Sequence, residues 1–304
     1  SDMQVLKLAY LAKATLNKVV PWAFIAGYVV IWFYGLHAYL PLSSISLILG
    51  ILAMSFTLSR QKKVAVPMRY LWLSVLLLAL TFIVPVKTLL FLSLGFAIFF
   101  LFESYFGGVS LLSVCTLVLM APVFEYAANV FSFPIRLQLT TWAGKLFASA
   151  TTEIATKGNM ITYNGNEFSV DPACMGLNML VTSLLLGCML IGYYQRNYKR
   201  HLNWYLLLIC FLSIVVFNVV SNLLRILLLV HFTVLPEDLM HDVIGLLCLL
   251  VYVLLPSAFV INKMVKVCGQ AKGAADNVVK QTKWLPYLNL LLLVAVVTTA
   301  YRVA

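Results

Sequence analysis

The stretch FNVVSNLLRILLLVH, residues 217–231, places two amides and a permanent cation inside a run of apolar residues. That run extends from Trp204 to Phe232, and a helix needs roughly 20 residues to cross a bilayer core. Asn218, Asn222 and Arg225 stand at i, i+4 and i+7, so they line one helix face. A charge facing lipid is expensive, so the stripe is expected to turn into the protein and to mark a functional site. Pairing of Arg225 with a structural acid, or snorkelling to the interface, is the alternative. Arg225 lies 21 residues beyond Trp204, about 31 Å of helix rise, which puts it near the far membrane face.

The apolar pattern recurs along the chain. Of 304 residues 63% are hydrophobic and 10% charged, and the runs place spans near residues 21–40, 42–59, 68–84, 87–106, 109–131, 174–195, 203–232, 241–262 and 285–301. This is the pattern of an all-α polytopic membrane protein, a bundle of about eight to nine transmembrane helices. The first run, Trp22 to Leu40, is long and aromatic and has no small-residue cleavage site, so it reads as a retained span and not as a signal peptide.

A net charge of +11 would suggest nucleic acid for a soluble protein. Here Lys and Arg follow membrane topology instead. With the N-terminus inside, 15 of the 21 fall in inner segments. These are Lys7, Lys13 and Lys18 before the first span, and Arg60, Lys62, Lys63 and Arg69 around the second loop. Arg196, Lys199 and Arg200 follow the sixth span, and Lys263, Lys266, Lys272, Lys280 and Lys283 follow the eighth. Lys87, Arg136, Lys145, Lys157, Arg225 and Arg302 are left to the outer side. Cations scattered over four loops form no nucleic-acid surface, and the bias puts residues 171–176 at the extracytoplasmic face.

Residues 132–173 are the longest stretch outside the expected spans. Ile135, Leu139, Trp142, Leu146 and Ala150 recur at helical spacing, which suggests an amphipathic helix on the outer membrane surface; a solvated connector is the alternative. Two short β-favouring runs then flank Asn164-Gly165, a dipeptide suited to a tight hairpin. Pro172 suits the first turn of a helix, which places Cys174 at the start of the sixth span. A first-turn thiol meets free N–H groups and the positive end of the helix dipole, so it tends to ionise more easily. Cysteine is also a common small buried residue. Cys115, Cys188, Cys210, Cys248 and Cys268 illustrate that case: they lie within or beside apolar spans and form no CxxC pair, so neither a disulfide framework nor a thiolate metal site is supported.

His241 opens the eighth span as it re-enters from outside, with Asp242 beside it and Gly245 one turn deeper, where a helix allows close approach. An imidazole titrating near neutral pH is the usual proton shuttle for a thiol. His231 competes, but no small residues accompany it. Cys174, Arg225 and His241 therefore sit on three successive spans near one face, and supply a nucleophile, an oxyanion-holding cation and a general acid/base. Asn178 and Thr182, at i+4 and i+8 from Cys174, continue a polar seam. Glu125 and Asn129 lie near the outer end of the fifth span; Glu125 either balances Arg225 or is simply interfacial.

At these residues the chain resembles the exosortase/archaeosortase membrane transpeptidases. The matching positions are ACMGLN around Cys174 and Gly176, NLLRI with Asn222 and Arg225, and HDVIG with His241 and Gly245, in the family's order and on its spans. The hairpin ahead of Cys174 is similar to the family's lead-in, so the resemblance covers roughly residues 20–262. It implies a Cys-Arg-His thiol protease in a bacterial inner membrane, with a cytoplasmic N-terminus and a periplasmic active site. That enzyme cuts the C-terminal tail of exported proteins, comprising a short motif, a transmembrane helix and a basic cluster. The implied product is transferred to an acceptor amine or alcohol. Membrane lipids are implied as surroundings, nucleic acid is not a partner, and no metal or organic cofactor is required.

The chain departs from the family where Met175 replaces the usual Ser after the cysteine, and in its basic segment and last span. These departures resemble a divergent subclass, the exosortase N type of Bacteroidota. The expected organisation is residues 1–20 cytoplasmic, 21–131 the first five spans, 132–173 the surface helix and hairpin, 174–262 the catalytic spans, 263–284 a basic cytoplasmic segment and 285–304 the final span. Two rivals stand beside this reading. A polytopic transporter would need a midplane polar pathway and usually internal repeats; a non-catalytic membrane scaffold would not need Cys174. Neither HExxH nor GxSxG occurs, which disfavours metal-dependent and serine intramembrane hydrolases.

Overall fold

A computed structural model of the chain describes residues 19–58, 66–149, 154–163, 165–169, 177–234, 238–271 and 284–303. Its helices are α1 (Val19–Leu36), α2 (Ile45–Thr57), α3 (Arg69–Ile83), α4 (Lys87–Tyr105), α5 (Leu111–Met120), α6 (Pro122–Ala148), α7 (Leu177–Asn197), α8 (Trp204–His231), α9 (Leu239–Cys268) and α10 (Leu285–Val303). Strands β1 (Ile154–Lys157), β2 (Met160–Tyr163) and β3 (Asn166–Ser169) lie between α6 and α7, and the short strands β4 (Arg200–His201) and β5 (Gln270–Ala271) pair antiparallel. The protein is all-α and polytopic, with each expected span occupied by helix among the described residues. Five helices, α1, α4, α8, α9 and α10, are long and apolar enough to cross a membrane; α2, α3 and α5 are shorter apolar helices.

The chain forms two compact units. The first holds α1, α3, α4, most of α5 and α10. Pro85 ends α3: Val84 before it is extended, as a residue preceding proline prefers, and the chain turns directly into α4. Tyr70, Phe96 and Phe99 form an aromatic cluster between α3 and α4. At one end of this unit the Arg69 guanidinium donates to Glu103 Oε1 at 2.9 Å and to the Val109 carbonyl at 2.8 Å, while Val109 N–H donates to the same carboxylate oxygen at 3.1 Å. The carboxylate thus satisfies a cation and a backbone donor together.

The second unit holds α2, α6, the three-stranded sheet, α7, α8 and α9. Basic residues close one end of it. Arg196 Nη2 donates to the Ser55 carbonyl at 2.7 Å, satisfying the C-terminus of α2, and the Arg200 guanidinium donates to the Lys266 carbonyl at the end of α9. At the other end α8 hands over to α9 through a corner packed by Leu229, Val234, Ile244 and Cys248. A π-helical stretch, Leu249–Leu254, widens α9 just before Pro256, which lacks an N–H and so cannot continue the regular ladder.

The hairpin is present and larger than expected, because β1 adds a third strand in the order β1-β2-β3. Both loops have two residues, and Gly158 and Gly165 adopt positive φ of 64° and 78°, conformations that need no Cβ. Ile161 and Phe168 turn to one face and pack with Leu139 and Ala143 of α6 and Ile226 and Val230 of α8. Alternate residues face outward, as in a sheet with one buried side.

The fifth span differs from its sequence reading. It breaks at Ala121, which is extended, and Pro122 opens α6. That helix then runs without interruption through residue 131, where the fifth span was expected to end, to Ala148. The expected apolar stripe is divided too: Ile135, Trp142 and Leu146 are exposed, whereas Leu139 turns into the core over the sheet. Asn129 is described in its backbone alone, and Asn164, Asp171, Pro172 and Ala150 lie outside the described residues.

Replacing Glu103 with Ala is expected to destabilise the first unit by about 1–3 kcal/mol, because the buried Val109 N–H loses its acceptor. Denaturant titration in detergent should show the loss. Glu103→Gln, which keeps an oxygen for the Val109 N–H, should lose less.

Candidate functional site

The polar stripe of α8 is buried, as the charge on its face requires. Asn218, Ser221, Asn222 and Arg225 are all buried, Arg225 to 3% exposure, while Val216 and Val220 are exposed on the opposite surface. Each described polar contact reaches a neighbouring helix of the same unit. Asn218 Nδ2 donates to Ser183 Oγ of α7 at 3.0 Å. Ser221 Oγ donates to the Cys248 carbonyl of α9 at 3.1 Å, where the π-helical stretch begins. The stripe is therefore the seam along which α7 and α9 close on α8.

Arg225 ends this seam. Its Nη1 approaches Met179 Sδ at 3.6 Å, and its Nη2 lies 3.5 Å from Nδ1 and 3.4 Å from Nε2 of His241. Nearly equal distances of that length mean that the guanidinium is set against the imidazole without a directed bond to one ring nitrogen. His241 is itself buried to 6% exposure. Its Nδ1 also stands 3.5 Å from Oδ1 of Asp242, whose side chain is 91% exposed. A buried cation and a buried imidazole in contact can hold a developing oxyanion and transfer a proton at one place.

Gly245 makes the contact possible. A Cβ built there would meet Met179 Cε at 2.9 Å and Arg225 Cζ at 3.0 Å, so the guanidinium packs directly against the backbone of α9. His241 and Gly245, one turn apart on α9, and Met179 of α7 pack around the guanidinium. His231, the competing imidazole, is exposed and packs edge-on with Phe232.

The structure brings together Arg225, His241 and Gly245, with Asn222 one turn below on α8. Cys174 and Gly176 lie outside the described residues, and Asn178 is described in its backbone alone. Cys174 precedes Met179 by five residues. Thr182 is half-buried, and among the described side chains of α7 it is Met179 and Ser183 that make the polar contacts with α8. Glu125 stands in the first turn of α6, half-buried, and among the described residues no ion pair joins it to Arg225. Met179, Ser183 and Ser221 were absent from the sequence reading. Ser183 and Ser221 carried a weak signal as hydroxyls in apolar helices; Met179 carried none.

These features define a multi-pass membrane protein with a buried Arg–His pair at one end of a three-helix seam. Over residues 41–258 the chain matches the family model of the transmembrane exosortases, Exosortase_EpsH, and it belongs to that family. Membership supports a membrane transpeptidase or protease acting on protein substrates. No curated protein and no solved structure matches the chain.

Changing Gly245 to Ala should leave folding intact, since alanine is favoured over glycine in a helix by up to about 1 kcal/mol. The added methyl displaces the guanidinium, and activity is expected to fall about tenfold, the scale of a sub-ångström misplacement. Parallel thermal unfolding and turnover measurements check both halves.

Proposed function

We propose that the protein is a cysteine transpeptidase that cuts the C-terminal sorting tail of exported proteins at Cys174. One observation carries the reading: the Arg225 guanidinium lies against the His241 imidazole, both buried, beside the first turns of α7. Met179 touches that guanidinium and follows Cys174 by five residues, so the chain keeps the α-carbons of these two residues within at most about 18 Å of each other. Family membership supports the class of reaction.

The chemistry follows from the three side chains. The Cys174 thiolate adds to the scissile carbonyl, and its oxygen, now negative, is held by the Arg225 guanidinium. Collapse of the adduct breaks the C–N bond, and His241 delivers a proton to the departing amine. The thioester left on Cys174 is attacked by an acceptor amine or alcohol, or by water, with His241 taking the proton and the thiolate released. Every role is filled by a side chain, so the step needs no metal or organic cofactor.

The substrate tail supplies a short recognition motif, a transmembrane helix and a basic cluster. Its helix docks laterally beside α7–α9, which brings the motif to the end of the seam where Arg225 and His241 meet. The site faces the periplasm of a bacterial inner membrane, with the N-terminus cytoplasmic, in keeping with the inner concentration of Lys and Arg. In this organisation residues 174–262 form the catalytic spans and 263–284 a basic cytoplasmic segment, while the exposed stripe of α6 rests at the outer membrane surface.

Cys174→Ala is expected to abolish tail cleavage while the protein still extracts as a folded monodisperse species; full cleavage by that variant would overturn the proposal. Arg225→Lys should lower turnover at least about 100-fold, because an ammonium lacks the planar fork of donors. Mass spectrometry of a stalled reaction should find the substrate fragment on Cys174.

A further inference from the structure

We infer that the outer edge of β3, at Glu167 and Ser169, is a docking strand for the extended backbone of the protein substrate beside its scissile bond. The inference rests on the transpeptidase reading and deepens it.

The register decides which backbone groups are available. Tyr163 pairs with Asn166 across the two-residue loop 164–165, so these two are the hydrogen-bonded closing pair of the hairpin. Alternation then makes Ile161 and Phe168 a bonded pair, and leaves Thr162 with Glu167, and Met160 with Ser169, as non-bonded pairs. The other hairpin agrees. Lys157 pairs with Met160 and Ala155 with Thr162, so Met160 and Thr162 direct their backbone groups to β1, away from β3. Glu167 and Ser169 accordingly point their N–H and C=O groups away from β2. Among the described residues no strand lies beyond them.

Position selects this edge over its counterpart on β1. Ser169 precedes Cys174 by five residues, whereas the β1 edge lies about 10 Å further across the sheet. The edge is also held firmly. Phe168, between its two outward-facing residues, is buried with Ile226 and Val230 of α8, and Ile226 is the neighbour of Arg225. Glu167 is exposed, so a chain can approach. An unpaired edge is ordinarily covered or blunted because it invites pairing; an incoming strand gains main-chain hydrogen bonds there, with alternate side chains left to set specificity. A protein substrate drawn out straight at its cleavage site is the occupant whose chemistry fits.

The test uses the full chain in lipid nanodiscs with two probes: N-acetyl pentapeptides of randomised side chains ending in a vinyl sulfone, and methyl vinyl sulfone. Both alkylate a reactive thiol, and mass spectrometry reads the labelling rate at Cys174. Single backbone N-methylation of the peptide is expected to slow labelling about three- to tenfold at alternate positions, the effect of losing one hydrogen bond, and to leave the positions between unchanged. Glu167→Pro, which removes an outward N–H from an edge strand without breaking the ladder, should slow the peptide probe alike while methyl vinyl sulfone reacts as before. Sensitivity that is absent, or equal at every position, overturns the docking strand. A Cys174 that methyl vinyl sulfone does not label contradicts the transpeptidase reading itself, and the docking strand with it.

Discussion

A permanent cation in the apolar body of α8 is the constraint from which the second unit follows. A guanidinium cannot shed its charge, and against lipid it would be strongly unfavourable. The fold answers by closing α7 and α9 over the polar face of α8. Asn218 is taken up by Ser183, Ser221 by the Cys248 carbonyl, and Arg225 by Met179 and His241. The close approach of α9 depends on Gly245, where any side chain would occupy the space of the guanidinium. The same accommodation that makes Arg225 tolerable sets an imidazole against it, so burial of the cation and its contact with His241 are one structural event.

The remaining architecture fixes where that pair sits and what can reach it. Arg196 and Arg200 satisfy carbonyls at the opposite end of the second unit, which ties α2, α7 and α9 together far from the Arg–His contact. The sheet stands on α8 beside Arg225, through Ile226 and Val230, and on α6 through Leu139 and Ala143. It therefore presents a backbone edge on the two helices that carry it.

Much of this was legible from the residues alone, for definite reasons. Apolar runs announce membrane helices because backbone groups in lipid have no other way to bond, and every expected span holds a helix. The stripe at 218, 222 and 225 announced an inward face because lipid rejects it. Asn164-Gly165 announced its turn. Three features were less visible. Pro122 signals a break, yet the apolar run across it outweighed that signal. Strand β1, Ile154–Lys157, carries one large apolar residue and becomes a strand only because Gly158-Asn159 folds it onto β2. Beside the Thr182 counted from Cys174 it is Ser183 that meets Asn218, and a serine in an apolar helix gives little sign of the face it takes. Met179 could not be found at all, since a methionine in an apolar helix looks like every other core residue.

The central claim is that the Cys174 sulfur shares one pocket with the Arg225–His241 pair. The most direct measurement treats the native protein with 1,3-dibromoacetone, which alkylates a thiol and then bridges to an imidazole within a three-carbon reach, followed by peptide mapping. The account requires a linked pair of peptides carrying Cys174 and His241. Cys174 bearing only a single-ended adduct, with His241 unmodified or with His231 in its place, would contradict it.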